Sequence, residues 1–145
     1  MSMSSKHKLK VLFLCTGNSC RSQMAEGFAR KLGSDSLDAV SAGINPVGIN
    51  PRARLVMEEI GISLANHSSK SLETIDVNQI NLVVTLCGDA AKSCPAFPRP
   101  VKRIHWALED PAKARGTEEE IMNVFRETRN IIQRHVEELT KGIKT

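Results

Sequence analysis

The sequence predicts a single α/β domain built around a parallel sheet, and three observations lead there. Four short runs, Lys10–Leu14, Leu37–Ser41, Asn81–Leu86 and Val101–Trp106, have the length and composition of strands. Segments with apolar residues at helical spacing separate the first three, and strands alternating with helices point to parallel pairing. A length of 145 residues suits one ordinary domain with its own core.

Lys10–Leu14 reads as a buried parallel strand, because its apolar run leaves no polar face. Ser22–Leu32 reads as a helix with Met24, Ala25, Phe28, Ala29 and Leu32 on one face, and Gly33 is the expected C-cap. Leu37–Ser41 is the second strand. Asn50 and Pro51 open the next helix, as N-cap and first helical residue. Val56, Met57 and Ile60 form its apolar face and Gly61 stops it. A weaker helical turn is expected over Leu72–Asn78, then a central strand over Asn81–Leu86. Cys87–Pro100 reads as a loop rich in Gly, Ala and Pro, and Val101–Trp106 as the fourth strand. Thr117-Glu118-Glu119-Glu120 is a capping box that opens the last helix. Ile121, Val124, Phe125, Thr128, Ile132, Val136 and Leu139 then recur at helical spacing. Residues 1–8 read as a disordered lead-in and 9–145 as the domain.

Composition narrows the function classes. Apolar content of 41% and charged content of 25% are those of a soluble globular protein. The longest unbroken apolar run is the five residues Val11–Cys15, too short to span a membrane. The first residues carry no apolar signal core, so a cytoplasmic location is expected. There is no Tyr, and aromatics make up only 3%, which argues against a stacking platform for single-stranded nucleic acid. A net charge of +4 gives weak steering towards an anionic substrate. Four cysteines in a cytoplasmic chain are expected to be reduced at rest. No cofactor is expected, and the chain is expected to act as a monomer. His67, His105 and His135 lack the spacing of a metal site and read as structural or surface residues.

The chemistry concentrates in Cys15-Thr16-Gly17-Asn18-Ser19-Cys20-Arg21-Ser22, a Cys-x5-Arg-Ser segment between a strand and a helix. Backbone N–H groups of such a loop, together with the helix dipole, converge on negative charge and bind a tetrahedral oxyanion. The same field stabilises a thiolate, so Cys15 reads as a nucleophile. Arg21 supplies a planar, bidentate fork for the oxyanion. Ser22 is placed to donate to the Cys15 sulfur or to cap the helix. In parallel sheets ligands bind at the carboxyl ends of the strands. Cys15 follows strand one, Cys87 follows strand three and Asp110 comes shortly after strand four, so the three fall on one sheet edge.

These residues resemble the phosphate loop of the low-molecular-weight protein tyrosine phosphatase fold. Joined with Ser41-Ala42-Gly43, Asn66-His67, Val84-Thr85-Leu86-Cys87, Cys94-Pro95, His105-Trp106 and Asp110-Pro111, they are similar to the thioredoxin-coupled arsenate reductases of that fold. The resemblance runs from about Lys10 to the last helix. It implies four parallel strands in the order 2-1-3-4 with helices on both faces.

It also implies roles. Asp110 would be the general acid that protonates the oxygen leaving arsenate as Cys15 attacks, with Pro111 holding it extended. Cys87 would attack the Cys15–arsenic adduct, release arsenite and leave a Cys15–Cys87 disulfide. Cys94 would then attack Cys87 and carry the disulfide to a dithiol partner. That partner is thioredoxin by the resemblance, with glutaredoxin-type coupling as the runner-up. Cys20 reads as a buried small residue with no part in turnover. Some relatives are similar in holding a potassium ion beside the loop; the matching positions are Asn18, Glu26, Ser41 and Lys70. Lys70 departs from the acidic residue expected there, and its ammonium near Glu26 would replace the cation.

Two other functions compete. A phosphatase of the same fold needs no second thiol, and for phosphotyrosine it needs an aromatic wall near the acid. The residues after Asp110, Pro-Ala-Lys-Ala-Arg-Gly, offer none. A cysteine-based metal or arsenite sensor leaves Arg21 and Asp110 unexplained.

Overall fold

A computed structural model of the protein describes residues 8–87 and 100–144, with side chains as far as 142. Four parallel strands form one sheet in the order β2-β1-β3-β4: β1 (Leu9–Cys15), β2 (Leu37–Gly43), β3 (Leu82–Thr85) and β4 (Lys102–His105). This is the expected order. The α-helices among the described residues are α1 (Arg21–Leu32), α2 (Pro51–Glu58) and α3 (Glu118–Lys144). The expected loop over Cys87–Pro100, and Cys94 within it, falls outside the described residues except at its two ends.

β1 is central because Val11–Cys15 is apolar at every position and buried at every position. It pairs with β2 from Leu9↔Leu37 to Cys15↔Gly43 and with β3 from Val11↔Leu82 to Leu14↔Thr85. Cys15 is therefore delivered to the carboxyl edge at the middle of the sheet. β4 lies at the edge, and its side chains are correspondingly half-buried or exposed. Phe13, Phe28, Phe125, Met24, Met57 and Ile132 fill the core, where α3 packs on α1 and α2. Burying side chains of this size contributes about 1.5–3 kcal/mol each.

The caps explain where the helices begin and end. Asn50 Oδ1 accepts from Arg52 N at 2.8 Å ahead of Pro51, and the Thr117/Glu120 box closes reciprocally at 2.9 and 3.1 Å. Gly33 is the C-cap of α1, but with φ −123 rather than in the left-handed region. The space there is tight: a Cβ would meet Leu37 Cδ1 at 2.8 Å and Ala29 O at 3.2 Å, so the Leu37 side chain would have to shift. The helical turn expected over 72–78 divides into two short 3-10 turns, Leu72–Thr74 and Val77–Gln79, each capped by the side chain before it, Ser71 and Asp76. Ile60 departs from its expected buried face and is 38% exposed, because α2 ends at Glu58 and the chain turns through Gly61 at φ +81.

Candidate active site

The loop from Cys15 to Arg21 is held from outside by its carbonyl oxygens. Ile44 N donates to Cys15 O at 3.2 Å, Asn45 N to Thr16 O at 2.8 Å, Val47 N to Gly17 O at 3.1 Å and Asn50 N to Ser19 O at 3.1 Å. Gln23 Nε2 donates to Asn18 O at 3.1 Å, and Met24 N to Cys20 O at 3.0 Å. In a trans peptide the C=O and N–H point in opposite directions. Carbonyls drawn outward therefore leave the N–H groups to the inner side of the loop. α1 starts at Arg21 with no side-chain cap, so its first N–H groups are not consumed by a capping residue. A ring of donors at a helix N-terminus suits a tetrahedral anion.

Asn18 makes the tight loop possible. Its φ of +48 lies in the left-handed region, which Asn tolerates better than most residues. Both ends of its buried side chain are used: Nδ2 donates to Ser22 Oγ at 2.9 Å, and Oδ1 accepts from Lys70 N at 2.9 Å. Ser22 Oγ in turn lies 2.8 Å from Cys15 Sγ. Of the two roles read for Ser22, the sulfur contact is the one formed. Capping is not, because Cys20 holds the N-cap position and Ser22 lies inside the helix. Gly43, paired with Cys15, allows the loop to close, since a Cβ there would meet Thr16 O at 2.7 Å and Asn18 N at 2.9 Å.

Arg21 is 8% exposed and tethered at one nitrogen. Nη1 donates to Leu86 O at 3.1 Å and to Leu108 O at 2.9 Å, while Nη2 lies 3.8 Å from Asp110 Oδ2. The guanidinium thus bridges the ends of β3 and of the segment after β4. Asp110 is extended (φ −75, ψ 111), and its Oδ1 accepts from Ala112 N at 3.0 Å, capping the 3-10 turn Pro111–Lys113. Turn-making and orientation of the carboxyl coincide in this residue.

Cys15, Cys20 and Cys87 are buried and form no disulfide. Cys87 Sγ lies 3.1 Å from Thr16 Oγ1, which brings the end of β3 against the residue next to Cys15. Burial pushes the Cys20 thiol up to about 12, so it is a neutral thiol near pH 7. One open cleft of about 1090 Å³ is lined by Cys15, Arg21, Cys87 and Asp110 together, with Val47 and Val124 on its rim. Val124, read as part of the apolar face of the last helix, is 37% exposed at this cleft. The described lining contains no aromatic side chain.

Behind the loop, Glu26 is a nearly buried carboxylate. Oε1 accepts from Ser41 Oγ at 2.5 Å and lies 3.9 Å from Lys70 Nζ; Oε2 accepts from Arg30 Nε at 2.7 Å. Lys70 Nζ also donates to Ser68 O at 3.2 Å. Gln23 Nε2 serves two carbonyls, Asn18 O and Ser68 O, which leaves its Oε1 to accept from His67 Nδ1 at 3.0 Å. Burial holds His67 below the usual histidine range, with Glu26 opposing. His105 instead contacts Thr85 at 2.8 Å, and His135 stacks on Trp106 at 4.8 Å, so the three histidines lie in three separate settings.

Sequence reasoning missed Gln23, Ser69 and the 44–50 segment as parts of the site. Ser69 Oγ donates to Gly17 O and accepts from Gly48 N, both at 3.1 Å. For Gln23 the available signal was its place directly before Met24 and Ala25, on the stretch of α1 expected to be buried. The pairing of two loops far apart in sequence left no local pattern.

Comparison with known proteins agrees with this geometry. The family model for low molecular weight phosphotyrosine protein phosphatases matches residues 10–145. An arsenate reductase of Halalkalibacterium halodurans is 48% identical over 139 residues, covering 96% of this chain and 95% of the relative. A solved structure described as an arsenate reductase in oxidized state superposes with a TM-score of 0.79 at 33% identity, covering 92% of this chain and 98% of the other. A thioredoxin-dependent arsenate reductase of Corynebacterium glutamicum gives a TM-score of 0.74 at 26% identity over 94% of this chain and 62% of that one. By sequence and by fold, the chain belongs to the low-molecular-weight phosphotyrosine protein phosphatase family and groups there with arsenate reductases.

Proposed function

We propose that this protein reduces arsenate to arsenite with three cysteines. The reading rests above all on one observation: Cys87 opens onto the same cleft as Cys15, Arg21 and Asp110. A hydrolytic phosphatase has no use for a second thiol at that place.

Arsenate sits in the loop from Cys15 to Ser22, with its charge met by backbone N–H groups and Arg21. Cys15 Sγ attacks arsenic, and Asp110 gives a proton to the departing oxygen. Cys87 then attacks Cys15 Sγ. The sulfur–arsenic bond breaks, its electron pair stays on arsenic, and arsenite leaves as the Cys15–Cys87 disulfide forms. Cys94 attacks Cys87, regenerates the Cys15 thiolate and forms Cys87–Cys94, which a thioredoxin reduces. Asn18, Glu26, Ser41 and Lys70 brace the loop from behind. The absence of an aromatic ring along the described lining disfavours phosphotyrosine as substrate.

The test is arsenate-dependent NADPH consumption with thioredoxin and its reductase, run against glutaredoxin with glutathione. Turnover with the thioredoxin system, lost in Cys15→Ser, supports the reading. Equal or greater turnover with glutaredoxin changes the partner, and none with either removes the reductase assignment.

A further inference from the structure

Cys87 faces a second, smaller cavity of about 280 Å³, lined among the described residues by Cys87, His105, Ala107, Leu108 and Glu109. Cys87 therefore borders two spaces: the Cys15 cleft, which Glu109 also lines, and the smaller cavity, to which the exposed His105 imidazole alone is confined among the described lining residues. A thiol attacks only as its thiolate, so the second step needs an acceptor for the Cys87 proton. Imidazole is the side chain best suited to that exchange near neutral pH.

One tautomer of His105 lets Thr85 make both of its contacts. β3 and β4 pair Thr85 with His105, and Thr85 Oγ1 lies 2.8 Å from His105 Nδ1. The Thr85 hydroxyl also points to Ile104 O at 3.5 Å. With its hydrogen turned to that carbonyl, Thr85 accepts from Nδ1–H, and Nε2 keeps its lone pair. Cys87 follows two residues after Thr85. On its other side Thr16 Oγ1, 3.1 Å from Cys87 Sγ, can donate to the sulfur once it is charged.

We propose that His105 is the proton acceptor for Cys87 in the arsenite-releasing step, an inference that rests on the reductase reading. His105 Nε2 takes the Sγ proton. The Cys87 thiolate forms a bond to Cys15 Sγ while the Cys15–arsenic bond breaks and leaves its electron pair on arsenic. The two sulfurs are oxidised, arsenic is reduced, and the imidazolium gives its proton to the departing oxyanion or to water. Glu109, the other titratable group on this cavity, is the alternative acceptor.

The experiment is a single turnover of the full, reduced chain with arsenate and no external reductant, quenched rapidly and read for arsenite and for the Cys15–Cys87 disulfide. His105→Gln is expected to release arsenite roughly 100-fold more slowly. Its Cys15 should still be alkylated by iodoacetamide at the unsubstituted rate, which also reports an intact loop. Added imidazole should restore most of the rate to His105→Ala, a rescue that a merely structural role would not give. Release by His105→Gln at the unsubstituted rate overturns the proposal. So does a loss confined to Glu109→Gln, or a His105→Ala defect that imidazole leaves unchanged. If the unsubstituted protein releases no arsenite at all, the reductase reading itself falls, and that result is separately visible.

Discussion

Ser22 Oγ lies 2.8 Å from Cys15 Sγ while Asn18 Nδ2 donates to the same oxygen from 2.9 Å. Asn18 occupies one lone pair of the hydroxyl and leaves its hydrogen for the sulfur, so a residue with φ +48 orients the donor to the nucleophile. A hydrogen bond to a charged group is worth about 1.5–3 kcal/mol. Ser22→Ala should therefore slow alkylation of Cys15 at neutral pH by roughly 10- to 100-fold, and should also lower the melting temperature, because buried Asn18 Nδ2 loses its acceptor. Unchanged alkylation would show that the hydroxyl does not stabilise the thiolate.

Asp110→Asn separates binding from proton transfer. The amide can still accept from Ala112 N, so the turn at Pro111 is kept. Loss of a general acid costs roughly 10²- to 10⁴-fold. Adduct formation should slow by that order while arsenate protection of Cys15 from alkylation persists. A normal rate of adduct formation would mean that another group or water supplies the proton.

Cys94→Ser should release about one arsenite per chain and stop at the Cys15–Cys87 disulfide, since the relay step is missing. Quenched-flow arsenite measurement with peptide mapping reads both quantities. Sustained turnover with thioredoxin would make Cys94 dispensable.

Lys70 Nζ lies 3.9 Å from Glu26 Oε1, the oxygen that also accepts from Ser41 Oγ, while the Lys70 backbone N donates to Asn18 Oδ1. A second cation in this small space would be repelled. Melting temperature and activity should be the same in potassium and sodium at constant ionic strength, and Lys70→Asp should create a potassium response. A potassium-specific rise in melting temperature of the unsubstituted protein would contradict the placement of the lysine charge.

Much of this was legible in the chain. The strand runs, the Asn50-Pro51 start and the Thr117/Glu120 box are local patterns, and each forms where its residues place it. The Cys15–Ser22 segment links β1 to α1 for the same reason. Ile60 was misread because periodicity says nothing of where a helix stops. Gln23 and Ser69 were invisible because their partners, at Asn18, Ser68, Gly17 and Gly48, are assembled only by tertiary folding. Arg21 was read as an oxyanion fork, but its tether to Leu86 O and Leu108 O depends on β3 lying beside β1.

The most direct measurement is a thiol count on the fully reduced protein before and after arsenate, without thioredoxin, combined with disulfide mapping. Two thiols per chain should disappear in step with one arsenite released, first as Cys15–Cys87 and then as Cys87–Cys94. No loss of thiols, with arsenate bound or arsenate and phosphate esters merely hydrolysed, would contradict a reductase.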